Sequence, residues 1–157
     1  GLGSGQRVPV YGASGAVGTA AVQLATHAGA DVTGVCGPAN TDLVTSLGAT
    51  LVLDYTSTDS LPPGMAFDLV LDAVGKRRGS ALKAACRRAV APGGRYVSVD
   101  DGTPDFPAAD LVRLAQLADD GAIDPVVDRV YPLEWIAEAH RYVEADHKRG
   151  NVVVTMA

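Results

Sequence analysis

The sequence predicts an α/β domain built on a doubly wound parallel sheet, with strand order 3-2-1-4-5-6 and helices on both faces. Two observations carry this reading. Short β-rich runs alternate with helical periodicities along the chain, and short connections in such a pattern imply crossover helices on both sides of a parallel sheet. The run Phe67–Asp72 is almost continuously apolar, as a strand covered on both faces is. With 157 residues, 47% apolar and 20% charged, the chain suits one domain with an ordinary core.

The elements follow in order. Arg7–Tyr11 is a short strand ending at glycine, although Pro9 lacks the N–H that a central strand needs. Ala16–Ala28 is a helix, with Val17, Ala20, Ala21, Leu24 and Ala28 recurring at spacings of three and four. Asp31–Cys36 is the second strand. Thr41–Leu47 is a helix that Thr41 can cap, and Thr50–Asp54 is the third strand. A Ser-, Thr- and Pro-rich loop, Thr56–Met65, leads to the fourth strand at Phe67–Asp72. Gly79–Val90 reads as a helix closed by Pro92-Gly93-Gly94, followed by a fifth strand at Arg95–Val99. After the loop Asp101–Pro107 come a helix at Ala108–Asp120, a sixth strand at Pro125–Val130, an amphipathic helix at Leu133–Ala145 and a last strand at Asn151–Met156.

The strongest chemical signal is Val10-Tyr11-Gly12-Ala13-Ser14-Gly15-Ala16-Val17-Gly18. A strand runs into a glycine turn and a helix follows directly, the setting that a dinucleotide-binding loop requires. Gly12 permits the turn, Gly15 lets backbone approach a diphosphate, and Gly18 lets helix pack on strand. The helix N-terminus then offers free N–H groups and partial positive charge. The spacing is G-x-x-G-x-x-G, a variant of G-x-G-x-x-G. At the end of the second strand an acid would hold the ribose 2′-hydroxyl of NAD. Here the strand ends Cys36-Gly37-Pro38-Ala39-Asn40, and Asp42 falls beyond it. With no acid at the tip, and no basic clamp either, the reading leans to NADP(H).

These residues bring a family into view. The chain resembles the cofactor domain of the medium-chain dehydrogenase/reductase superfamily, closest to its zinc-free quinone oxidoreductase-like branch. The likeness rests on the glycine loop, on Ser46-Leu47-Gly48-Ala49 followed by Asp54-Tyr55, on Phe67 to Gly75, and on Pro92-Gly93-Gly94-Arg95-Tyr96-Val97-Ser98. The tail segments Asp128–Leu133, Glu138–Val143 and Gly150–Val154 extend it over nearly the whole chain. The resemblance implies a Rossmann domain in which Gly12, Ala13, Ser14, Gly15, Ala16, Val17 and Gly18 line the pyrophosphate. It places Cys36, Gly37 and Asn40 beside the adenine ribose and Tyr55 near a 2′-phosphate. Ala73, Val74 and Gly75 would flank the nicotinamide side, with Ser98 and Val99 at the next strand end. Family members begin with a GroES-like substrate domain. This chain opens almost at the first Rossmann strand, so residues 1–157 are expected to be a single NAD(P)-binding domain lacking that partner.

Asp72, at the carboxyl end of the fourth strand, can either touch the nicotinamide ribose or cap the following turn. No catalytic acid or nucleophile is assigned. The net charge of −5 argues against a nucleic-acid footprint, and Lys76-Arg77-Arg78 reads as a solvated turn. No apolar run approaches the ~20 residues of a membrane span. Cys36 and Cys86 form neither a disulfide framework nor a metal pattern, and a reducing, cytoplasmic setting is expected. His27, His140 and His147 show no ligand spacing, so no metal is expected. Trp135, Ile136, Ala139 and Val143 recur as a core face, and a paired apolar edge near the final strands would suit a homodimer.

The function expected is hydride transfer to or from a carbonyl, enone or quinone, this domain holding the cofactor that carries the chemistry. One alternative is a stand-alone dinucleotide-binding or redox-sensing module. Another is an S-adenosylmethionine-dependent methyltransferase, disfavoured by the long glycine loop and the missing acid at Cys36.

Overall fold

The computed structural model describes residues 2–77, 79–102, 105, 107–146 and 148–156. Arg78 and His147 lie outside them. The elements are β1 Arg7–Tyr11, α1 Ala16–His27, β2 Asp31–Cys36, α2 Thr41–Ser46, β3 Leu51–Asp54, β4 Phe67–Asp72, α3 Ala81–Arg88, β5 Val90–Ser98, α4 Ala108–Asp119, β6 Val127–Pro132, α5 Ile136–Glu144 and β7 Asn151–Thr155.

The main sheet is parallel with order β3-β2-β1-β4-β5. Its two faces follow from the two-residue period of a strand. Val8, Val10 and Val32 point to one face, where Val22 and Ala25 of α1 and Val44 of α2 cover them. Tyr11, Val35 and Val70 point to the other, against Leu82 and Cys86 of α3, and Phe67 joins this cluster from beyond a register shift in the β4–β5 pair. Helices therefore cover both faces, as expected. Gly34 permits the close approach of α2, because a Cβ there would collide with Val44 Cγ1.

Pro9 is accommodated by a late start to one ladder. It pairs with Thr33 on the β2 side, but the β1–β4 ladder begins only at Val10. Below that point the Asp68 side chain takes the Arg7 N–H at 2.8 Å.

Three expectations need correction. Thr41 does not cap α2 but is its first residue, and the N-cap position falls to Asn40, whose side chain makes no capping bond. The Pro-Gly-Gly sequence does not close α3. It lies inside β5 as a bulge: Val90 pairs with Phe67, Arg95 with Leu69, and the register shifts between them. Gly93 takes φ +82° there, and a bulge of this kind needs such a residue. The sixth strand, moreover, does not extend the main sheet. β6 pairs in parallel with β7 in a separate two-stranded sheet. A crossover helix must pack on the sheet to deliver the next strand beside β5. α4 buries none of its residues, and Leu111 and Val112 are 61% and 59% exposed.

The β6–β7 unit is tied instead to α1 and the glycine loop. Gln23 Nε2 donates to the Asp124 carbonyl (3.0 Å) and Gln23 Oε1 accepts from Asp124 N (2.7 Å). On its inner side Tyr142 of α5 donates to Asp128 at 2.5 Å, and the Arg129 guanidinium lies 3.9 Å from the Tyr142 ring centroid. Trp135 and Ile136 are exposed, so of the apolar face read on this helix Ala139 alone is fully buried.

Among the described residues no helix is long and apolar enough to cross a membrane, and no group of three or more His, Cys, Asp or Glu could hold a metal ion.

Candidate dinucleotide-binding site

The site is assembled where the carboxyl ends of five parallel strands meet. β1 leads to α1 and β2 on one side. The chain returns through β4 on the other, so the switch point at which open α/β sheets bind ligands falls between the β1 and β4 tips.

Gly12 leaves β1 with φ +84°, a region that glycine enters without penalty. A Cβ there would run into Val74 Cγ2, so the first glycine is also where the β1 and β4 turns touch. The N–H groups of Gly12 and Ala13 both reach the Val35 carbonyl, at 2.9 and 3.0 Å. Gly15 N–H bonds back to Gly12 O at 3.1 Å, and Thr19 N–H makes the first intrahelical bond, to Gly15 O at 2.9 Å. Ala16, Val17 and Gly18 precede it, in the orphan-donor positions of a helix start. Gly15 caps the helix with no side chain, and no acid stands in the first turn. The Ala16 N–H faces the Gly150 carbonyl across a parallel Gly15–Gly150 bridge, while the N–H groups of Val17 and Gly18 and the positive end of the helix dipole suit an external anion. Gly18 packs on the loop itself, since its Cβ would stand 2.7 Å from Ala13 Cα.

Ser14 knits the loop to two distant segments. Its Oγ is 3.3 Å from Asn40 Nδ2, and its carbonyl accepts from Gly150 N at 2.8 Å. Gly15 and Gly150 form a parallel bridge.

At the β2 tip, the structure brings Cys36, Gly37 and Tyr55 together. Tyr55 N bonds to Cys36 O at 3.3 Å, and the Tyr55 ring lies against that of Tyr11, centroids 6.4 Å apart. Asp54 is occupied locally by Thr56 and Ser57, whose hydrogen bonds lower its pKa. Burial pushes the thiols of Cys36 and Cys86 up to about 11. Both should resist alkylation by iodoacetamide at neutral pH, because the thiolate is the nucleophile. Mass spectrometry should find neither modified in the folded chain and both modified in urea. Labelling of Cys36 in the folded state would contradict the burial seen here.

At the β4 and β5 tips Asp72 takes up the turn-capping role. The residue is 2% exposed, and its carboxylate caps the turn that follows, accepting from Val74 N at 3.1 Å and Gly75 N at 3.0 Å. Its second oxygen meets Lys83 Nζ at 2.6 Å, Tyr96 Oη at 2.8 Å and Ser98 Oγ at 3.4 Å. Burial alone would raise the Asp72 pKa. The bonds from Lys83, Tyr96, Gly75 and Val74 outweigh it and hold the carboxyl below its ordinary value. Burial, with Asp72 beside it, drives the Tyr96 phenol far above its usual value. Val99 N bonds to Asp72 O at 3.0 Å and Ala73 N to Tyr11 O at 2.9 Å, so Ala73–Gly75, Ser98 and Val99 share one edge with the glycine loop. Asp100 and Asp101 are exposed turn caps, accepting from Lys76 N and Ser98 N.

Lys83, Tyr96, Ser80 and Gly150 were not legible as site residues. A lysine inside an amphipathic helix reads as solvated, and only the packing of α3 against β4 turns Lys83 inward. The cavity lined by Gln23, Thr26, His27, Leu47 and Asp124, about 380 Å³, includes none of these site residues, and His27 and His140 are both exposed.

Residues 16–122 match the family model described as zinc-binding dehydrogenase, and residues 102–154 match a second model of the same description. The chain belongs to the medium-chain dehydrogenase/reductase superfamily. It is 33% identical to the mitochondrial NAD(P)H oxidoreductase RTN4IP1 of Mus musculus, over 97% of this chain and 48% of that protein. It is 31% identical to the chloroplastic NADPH-dependent alkenal/one oxidoreductase of Arabidopsis thaliana, over 96% of this chain and 41% of that protein. Its fold superposes on a crystal structure of an NAD-dependent alcohol dehydrogenase with TM-score 0.83 at 28% identity, covering 99% of this chain and 52% of the other. The chain thus spans about half the length of the relatives it matches.

Proposed function

We propose that this chain is the cofactor-binding half of an NAD(P)H-dependent oxidoreductase acting on a carbonyl, enone or quinone. The observation that carries the reading is the uncapped, acid-free start of α1 beneath a glycine turn packed on Val74. A diphosphate fits it: the amides of Val17 and Gly18 supply donors beside Ala16, and Gly15 adds no side chain. Cys36, Gly37, Asn40 and Tyr55 then border the adenine ribose, and Ala73–Gly75, Ser98 and Val99 flank the nicotinamide side. The nicotinamide, when bound, supplies or accepts the hydride. This chain's residues bind and orient it, and none is assigned as acid, base or nucleophile. The preference proposed is for NADP(H), because the segment of residues 36–40 that ends β2 carries no acid, and Asp54 beside it is engaged by Thr56 and Ser57. A reaction without metal is proposed from the likeness to the zinc-free branch.

The names of the relatives support an oxidoreductase, and the outer side of the β6–β7 sheet supports a second domain over a stand-alone binding module. Val130 and Val153 are cross-strand neighbours there, 56% and 37% exposed, and a two-stranded sheet is marginal without further packing.

Titration with NADPH and NADH under a thermal ramp tests the reading. Ligand at ~100 times its Kd adds about 2.7 kcal/mol, or roughly 5–10 °C for a domain of this size. NADPH should give that shift at a lower concentration than NADH. A folded sample that neither ligand stabilises would overturn the assignment, and tighter binding of NADH would overturn the preference.

A further inference from the structure

The Lys83–Asp72 ion pair is largely shielded from solvent, its side chains 15% and 3% exposed. Removing both charges from water is costly, and apolar replacements for such pairs are often as stable or more so. Stability is therefore a weak reason for its presence, whereas its geometry supplies a strong one. Asp72 accepts the N–H groups of Val74 and Gly75, and Lys83 donates to the Gly75 carbonyl. The turn is thus held through its N–H groups by the anion and through its carbonyl by the cation.

The same network reaches the glycine loop. Lys83 N is capped by Ser80 Oγ at 3.0 Å, and Ser80 Oγ is 2.8 Å from Tyr11 Oη. The Lys83 ammonium lies 5.6 Å from the Tyr11 ring centroid, and Tyr11 directly precedes Gly12. The turn that the pair holds places Val74 Cγ2 where a Gly12 side chain would be. Tyr96 from β5 gives the carboxylate a further donor. Charged side chains locked by packing and by a surrounding hydrogen-bond shell suit a site that needs fixed geometry.

Resting on the proposed cofactor role, we infer that Lys83 and Asp72 are positioning residues, which fix the Ala73–Gly75 turn against Gly12 and so hold the nicotinamide half of the dinucleotide. The adenine half, at Cys36, Gly37 and Tyr55, lies one step further from the pair, reached through the ring contact of Tyr55 with Tyr11.

The test compares two ligands on the full chain and its Lys83→Met variant by calorimetry. NADPH carries the nicotinamide half, and ADP carries only adenosine and the diphosphate. Lys83→Met should weaken NADPH by about tenfold or more while ADP changes by less than about twofold. Lys83→Arg, which restores the cation, should recover part of the NADPH affinity. If Lys83→Met is unfolded at the temperature of titration, Tyr96→Phe carries the same test, removing one donor with an expected loss of about threefold for NADPH alone. Equal losses for both ligands, or none for either, would overturn the positioning role while leaving the cofactor assignment intact. A wild-type chain that binds neither ligand would overturn the cofactor assignment and this role with it.

Discussion

Replacing Gly18 by alanine should destabilise the chain by about 3 kcal/mol or more, a large share of the ~5–15 kcal/mol that holds a domain of this kind together. The new Cβ would collide with Gly12 O and stand 2.7 and 2.8 Å from the Cα and carbonyl carbon of Ala13. All three are backbone atoms of the loop that β1 feeds into α1. A flexible side chain can swing away from such a contact, but this backbone cannot without breaking the Gly12 and Ala13 bonds to Val35 O. Relief would require α1 to lift from the sheet, exposing Val22 and Ala25, now 0% and 4% exposed. Urea unfolding of wild type and Gly18→Ala measures the effect as a fall in midpoint at unchanged slope. A difference below ~1 kcal/mol would mean that the loop is far more yielding than its contacts imply.

Val17→Asp should separate stability from binding. Val17 is 50% exposed in the first turn of α1, so its loss opens no cavity. An aspartate there faces the positive end of the helix dipole and should stabilise the fold by ~0.3–1 kcal/mol. The same carboxylate would stand at the place proposed for the diphosphate. At ~5 Å and an effective dielectric of ~20, each pair of like charges costs about 3 kcal/mol. Affinity for NADPH should therefore fall by more than about 100-fold while the melting temperature holds or rises. Opposite signs for the two readouts exclude misfolding as the cause. Affinity retained within about threefold would remove the diphosphate from the start of α1.

The first two-thirds of the fold was legible because its signals are local. The alternation of strands and helices, the glycine loop and the tips at Cys36 and Asp72 are all written in short windows. What escaped reading depends on contacts between distant windows. Pro92-Gly93-Gly94 has the composition of a helix stop, and its place inside β5 follows from pairing with Phe67 and Leu69. The neighbour of β6 could not be read from β6 at all, because strand neighbours are set by whether the preceding helix packs. The partner of Asp72 was hidden for the same reason. Its type and position were plain, but the lysine that neutralises it stands on another element, with nothing in its own sequence context to mark it.

The bond from Gly150 to Ser14 bears on the order in which the glycine loop is assembled. Residues 10–18 are synthesised well before Gly150, and their turn is held by Val35, close to them in sequence. Yet one hydrogen bond of the loop comes from Gly150, a residue made much later. Closing so long a circuit is entropically mild, since each doubling of loop length adds only ~0.6 kcal/mol. Its cost is in time, because pairings between remote residues form slowly. An emerging chain can complete its five-stranded sheet while the glycine loop still lacks a partner for the Ser14 carbonyl. In this architecture a finished core therefore precedes a finished glycine loop.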